Sequence, residues 1–252
     1  MVTIEINLPL VDMQVWGSLY RCLKHDRRFF LPPTERRFVE GILKFAEKHR
    51  TTAIVAGTRL FRARLNTSQG LVAGPRLTPR QLYSPPKELV RGGRLNPAGI
   101  PYLYLAEEEK TALAEVRPWQ GAAVTIGRVK VLMNLRIADV TRDSSSSVPY
   151  NTHAEKGADF TSRELISYMF SIPYQPEDTI SYAPTQYLAE AFRHHGFDGI
   201  RYDSALNASG RNVVLFDSAA AKVTSTVQVI VAGIDYRYSS IATQRRTTRR
   251  TK

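Results

Sequence analysis

Two arginines, an asparagine, a tyrosine, a glutamate and a serine are the side chains of this sequence whose types and placing could do chemistry together. Arg94, Asn96, Tyr104 and Glu115 lie in one stretch, RGGRLNPAGIPYLYLAEEEKTALAEVRPW, from Arg91 to Trp119; Arg62 precedes it in LFRAR and Ser204 follows it in RYDS. Arginines offer forked, charge-assisted hydrogen bonds that suit phosphate. A carboxylate can stabilise the positive charge that develops on a sugar when its anomeric bond breaks. Ser204 has no histidine and acid in a recognisable order around it and no G-x-S-x-G elbow, so it reads as a hydrogen-bonding residue rather than a nucleophile. A substrate bearing phosphates and a sugar would use this set. The plain alternative is that the glycines are turns and Glu115 a surface helix residue.

The elements that must position these residues follow from local pattern. Gly92 and Gly93 permit backbone that residues with a Cβ resist, and Pro97, Gly99 and Pro101 punctuate an extended run ending in the strand Tyr102 to Leu105. From Glu107 the residues are helix formers with acids in the first turn, and Ala112, Leu113 and Val116 supply an apolar face until Pro118 ends the helix. If TRLFRARLN is a strand, Leu60, Arg62 and Arg64 point one way and Phe61, Ala63 and Leu65 the other. Arg62 then faces either a cleft or a solvated side of a sheet. Residues 66–90 read as a loop over the site. Strands are expected at 122–126, 128–137 and 223–238, helices at 159–170 and 185–195, and a turn from helix to strand over Gly196 to Tyr202 leads to Ser204. Gly196 stops the second helix, with His194 and His195 as a helix-end cap rather than a catalytic dyad. Upstream, Pro32, Pro33, Thr34 as N-cap and Glu35 open an amphipathic helix with Phe38, Val39, Ile42, Leu43, Phe45 and Ala46 on one face.

GGRLNPAG followed by PYLYLA and TALAEV, with LFRAR before and FDGIRYDSALNASGRNVVLF after, resembles the RES domain family, named for an arginine, a glutamate and a serine. The resemblance runs from about Thr58 to Phe216 and assigns the family residues to Arg62, Glu115 and Ser204. It implies an α+β fold, an ADP-ribosyltransferase-like core of mixed, mainly antiparallel sheet with flanking helices. It also implies an NAD-consuming toxin of a bacterial toxin-antitoxin pair, neutralised by an Xre-type helix-turn-helix antitoxin that covers the active site. NAD would be a substrate. Glu115 would stabilise an oxocarbenium-like transition state, Arg62 and Arg94 would hold the pyrophosphate, Tyr104 would line the nicotinamide pocket with Asn96 nearby, and Ser204 would orient the amide or ribose. Phosphate, water or a protein side chain could be the acceptor, so NAD phosphorylase, glycohydrolase and ADP-ribosyltransferase all stay open. Leu95, where many relatives carry an aromatic residue, and Asp203, where a small residue or proline is expected, depart from the pattern.

Composition bounds the rest. The chain has 252 residues, 43% of them hydrophobic, and one cysteine, Cys22, which excludes an internal disulfide and leaves no metal-ligand cluster to expect. No run approaches 18 apolar residues and the first residues do not read as a signal peptide, so a soluble, cytoplasmic protein without membrane contact is expected. The net charge is +12, of which the last eight residues supply five, leaving about +7 on the body. The expected organisation is an N-terminal helical extension over 1–55, a catalytic domain over 56–240 and a basic, disordered tail over 241–252. The extension could serve a partner or a homodimer. Arg21, Lys24, Arg27 and Arg28 with Phe29 and Phe30 could suit RNA, but a nucleic-acid-binding module would leave the Arg91–Trp119 stretch without a role, which disfavours it.

Overall fold

The N-terminal helix pair shows how the sequence pattern becomes packing. In the computed structural model, which describes residues 13–66, 74–142, 162–172, 174, 178 and 180–235, α1 (Met13–Arg21) runs into a π-helical turn over Cys22–Asp26. α2 (Pro33–His49) follows, started by Pro32 and Pro33 rather than by Thr34 as N-cap. Proline at the first helical position loses nothing, because that N–H has no helical partner. Glu35, in the first turn, is buried and accepts from the Ser18 hydroxyl at 2.5 Å, which ties α2 to α1. Val39, Ile42, Leu43 and Ala46 are buried at the expected helical spacing. Burying each of the larger ones contributes about 1.5–3 kcal/mol relative to exposure.

Eight strands form one sheet in the order β1-β5-β6-β7-β3-β2-β4-β8. They are β1 (Thr51–Ile54), β2 (Arg59–Leu65), β3 (Leu103–Ala106), β4 (Ala123–Val131), β5 (Leu135–Asp139), β6 (Gly199–Asp203), β7 (Arg211–Leu215) and β8 (Ala221–Ile230). Every pairing is antiparallel except that of β5 with β6. With α3 (Glu109–Glu115), α4 (Ser162–Ser171) and α5 (Ala183–His194) the fold is α+β, a mixed and mainly antiparallel sheet with flanking helices, as expected. β1, from the segment before residue 56, is already part of the sheet, paired with β5.

Alternation along the central strands separates two cores. Ile200, Tyr202 and Val214 face the buried sides of α1, α2, α4 and α5. Leu60, Leu103, Leu105, Val213 and Leu215 face the other way, with Leu82 and Val129. A smaller cluster joins α3, through Ala112, to Ala63, Ala106, Val124 and Ile126.

Two expected boundaries shift. The strands expected at 122–126 and 128–137 are instead one long strand, β4, then a turn and β5. Gly127 does not break the ladder; a Cβ there would lie 2.5 Å from Leu82 Cδ1, so glycine admits the Leu82 side chain against the sheet. The turn falls at 132–134, where Leu132 and Met133 are exposed and the Asn134 side chain accepts from the Ala56 N–H at 2.9 Å. α5 stops, as expected, at Gly196 with φ +77. The strand expected at 223–238 is shorter, ending at Ile230; the 241–252 tail and the start of the helix expected at 159–170 lie outside the described residues.

Close packing at the sheet centre gives a stability test. A Cβ on Gly199 would meet the Val214 carbonyl oxygen at 2.3 Å, whereas one on Gly17 in α1 meets nothing within 4 Å. Gly199→Ala is expected to cost about 1–3 kcal/mol, and Gly17→Ala to gain up to about 1 kcal/mol from helix propensity. Chemical denaturation of the two variants checks this; equal midpoints would refute it.

Candidate active site

β2 and β3 separate almost as soon as they meet. Their register runs through one pair, Phe61 with Ala106, while β2 pairs with β4 over seven residues from Arg59 to Leu65. Arg62 spans the opening: its Nη1 donates to the Tyr104 carbonyl at 3.2 Å. A cavity of about 360 Å³ lies there, within the usual range of small-molecule sites of about 300–1,000 Å³. Arg62, Arg64, Tyr104, Glu115, Tyr202 and Asn212 supply its polar lining. The parity expected of β2 is present, since Phe61, Ala63 and Leu65 pack around α3 while Leu60 enters the opposite core.

Glu115 ends α3, and its carboxylate is held from behind. Ser204 Oγ and Asn212 Nδ2 each donate to Glu115 Oε1 at 2.7 Å. Among the described residues no donor reaches Oε2. Ser204 can make only this choice, because its oxygen already accepts from the Leu206 and Asn207 N–H groups at 3.1 Å each, leaving its one proton for the carboxylate. The loop carrying it is closed by Ser204 N–H to the Gly210 carbonyl and Gly210 N–H to the Asn207 carbonyl, both at 2.8 Å. One helical turn before Glu115, on the same face, Thr111 Oγ1 accepts from Asn207 Nδ2 at 2.8 Å. α3 and the β6–β7 loop are therefore latched at two points. Gly210 is required there, since a Cβ would lie 2.3 Å from Thr111 Oγ1.

The charges of the cavity are unequal. Burial, with the neighbouring charge of Arg64, pushes the Arg62 guanidinium down to about 9, still protonated at neutral pH. Burial also lowers Arg64, which donates to the Tyr83 carbonyl at 3.3 Å. Among the described residues Glu115 is the one carboxylate lining the cavity, and it is exposed to solvent. Burial, and then the Glu115 charge, raise Tyr202 well above the usual phenol range, so it stays neutral.

The other expected site residues hold the frame. Tyr104 donates to Asn96 Oδ1 at 2.7 Å and accepts from the Leu95 N–H at 3.0 Å; burial raises its hydroxyl out of titrating range. Asn96 donates to the carbonyls of Arg91 and Pro97, so its polar atoms are used inside the loop. Arg94 does not line the cavity. Its Nη1 donates to the carbonyls of Phe170 at 3.1 Å and Ile172 at 2.7 Å, closing the end of α4, and its guanidinium carbon lies 5.5 Å from the Tyr182 ring centre. Arg94, expected on a pyrophosphate, is thus placed where its cation answers the negative end of a helix. Thr185 and Gln186 of α5 donate to the Arg94 and Gly93 carbonyls at 2.6 and 2.7 Å. Ser204 is almost fully buried and donates to Glu115.

Asn212, Tyr202 and Arg64 are the lining residues that sequence reasoning did not single out for the site. An asparagine inside the apolar run RNVVLF was the available signal for the first. Asp203 accepts from the Arg142 N–H at 2.8 Å, and Leu95 is fully buried in the helical core, so both departures from the family pattern are absorbed as packing.

The RES domain model matches residues 59–239, and the chain belongs to that family. Among solved structures, the chain is similar to one from the crystal structure of the M. tuberculosis MbcT-MbcA toxin-antitoxin complex, with a TM-score of 0.44 and 16% identity, covering 77% of this chain and 94% of that one. No curated protein matches the sequence.

Tyr104→Phe is expected to cost about 1–3 kcal/mol, because Asn96 Oδ1 and the Leu95 N–H lose a buried partner. Equilibrium unfolding in urea measures it, and a loss below about 0.5 kcal/mol would show that the hydroxyl does not clamp the loop.

Proposed function

We propose that this protein is a toxin that cleaves the nicotinamide–ribose bond of NAD, with phosphate or water as acceptor. The observation that carries the reading is the Glu115 carboxylate, fixed through Oε1 by Ser204 and Asn212, facing a cavity whose other charged groups are Arg62 and Arg64. RES family membership supports NAD as the substrate. The residues fit such a substrate: two cations without a carboxylate partner among the described residues suit its diphosphate, and a carboxylate with one oxygen left without a donor among them suits its ribose.

As the bond to nicotinamide lengthens, positive charge grows on the anomeric carbon and the ring oxygen. Glu115 stabilises that charge and accepts from ribose hydroxyls through Oε2. Nicotinamide leaves as a neutral base, so no general acid is required. The acceptor then attacks the anomeric carbon, phosphate giving ADP-ribose 1-phosphate and water giving ADP-ribose. Ser204 and Asn212 are positioning residues, since they spend their hydrogen bonds on the carboxylate. The neutral phenol of Tyr202 sits within the same lining. An Xre-type antitoxin is the partner proposed with this role, and its binding would cover the cavity mouth. Transfer of ADP-ribose to a protein is the second reading; the exposed carboxylate at the mouth favours it, because a bulky acceptor could approach there.

Incubating the purified protein with NAD, with and without phosphate, and separating the products tests the reading. Nicotinamide release is expected, and intact NAD in both tubes would move the assignment to a transferase. Glu115→Gln is expected to keep the fold and lower kcat by about 10³-fold or more, the scale of losing a charge aimed at the transition state. Asn212→Ala is expected to lower kcat by about 10-fold with KM little changed, by freeing the carboxylate. An unchanged rate in Glu115→Gln would remove the mechanism.

A further inference from the structure

A second groove of about 750 Å³ adjoins the cavity, sharing Arg64 and Val116 with it. Its far wall comes from the connection between β2 and β3. Pro79–Leu82 form a 3₁₀ turn with Pro79 at its start, closed by a capping box in which Gln81 Oε1 accepts from both the N–H and the hydroxyl of Thr78 at 2.9 Å. Leu82 is fully buried in the second core, so the turn is anchored and Arg80 is held at the groove. Arg80 is exposed, and among the described residues no carboxylate or hydrogen-bond acceptor reaches its guanidinium. The rest of the groove is apolar or weakly polar, with Leu65, Leu77, Tyr83, Pro85 and Pro86.

Among the described residues three arginines, Arg62, Arg64 and Arg80, thus line two adjoining chambers against one carboxylate, Glu115, which lies in the first. The Arg62 and Arg64 charges repel one another in a partly buried trough and are relieved by an anion, with Arg80 adding a further cation along the groove. A charge of about two is left over, which a diphosphate matches, while the proline and tyrosine wall offers flat apolar surface to a nucleobase.

We propose that the second groove is the subsite for the adenosine diphosphate half of the dinucleotide, with Arg64 at the junction on the diphosphate and Arg80 as the outer cation that selects a nucleotide carrying that half. This deepens the NAD reading of the cavity and rests on it. The groove makes the protein discriminate between NAD and shorter nicotinamide nucleotides, because a mononucleotide fills only the chamber of Glu115.

Calorimetric titration of the full chain with ADP and, separately, with nicotinamide mononucleotide tests the subsite. ADP is expected to bind the unaltered protein. Arg80→Ala is expected to weaken ADP by about 10-fold, far more than nicotinamide mononucleotide, with Arg80→Lys recovering part of the loss. Arg64→Ala is expected to weaken both. Circular dichroism of the variants keeps misfolding apart from lost contact, and the exposed position of Arg80 makes its replacement compatible with the fold. Absence of ADP binding, or an Arg80→Ala protein that binds ADP as tightly as the unaltered one, or equal weakening of both probes, would overturn the subsite. The two readings fail separately. NAD cleavage with ADP binding indifferent to Arg80 would remove the groove and leave the cavity; Arg80-dependent ADP binding without NAD cleavage would do the reverse.

Discussion

The separation of β2 from β3 is the constraint on which the rest of the site depends. A sheet that stays fully paired closes its own surface, and backbone groups left unpaired inside a protein are costly. Here the ladder gives way after Phe61 and Ala106, and the Arg62 guanidinium supplies the Tyr104 carbonyl with a donor in place of a strand neighbour. One side chain thus both keeps the gap open and satisfies what the gap exposes. Everything with catalytic potential gathers at that gap: α3 leaves the end of β3 and brings Glu115 back over it, and the β6–β7 loop arrives from two strands away to hold the carboxylate.

The division of labour among the polar residues follows from hydrogen-bond counting. The donors of Asn96 and Tyr104 are used in fixing the glycine loop. Gly93 belongs to the same arrangement: a Cβ there would lie 2.7 Å from Asn96 Oδ1 and 2.9 Å from Tyr104 Oη. Ser204 is similarly committed. Arg62, Arg64 and Glu115 are the charged residues that line the cavity among those described, two cations and one anion.

Much of this was legible in the sequence, for physical reasons that differ by residue. The alternation of RLFRARL separated the Arg62 face from the Phe61 face, and helix formers ending at Pro118 placed Glu115 on a short helix after a strand. The fold class followed from the same patterns together with the resemblance. The place of Arg94 was not legible, because nothing local tells a phosphate-binding arginine from one that answers the carbonyls at the end of a helix more than seventy residues later. Asn212 was passed over because its role exists only through contact with a residue almost a hundred positions earlier. Gly127 misled for a similar reason: its glycine serves a close approach by Leu82, not a turn.

The pairing of β1 with β5 has a consequence for what counts as one protein here. The family match begins at residue 59, yet Thr51–Ile54 already cover the edge of β5, and Val39, Ile42, Leu43 and Ala46 of α2 close the core that β6 and β7 share. A chain cut at the family boundary would carry a raw strand edge and an uncovered apolar face, the two features that drive edge-to-edge association. The family region and the packed body therefore differ in length, since residues upstream of position 59 cover its sheet edge and its core.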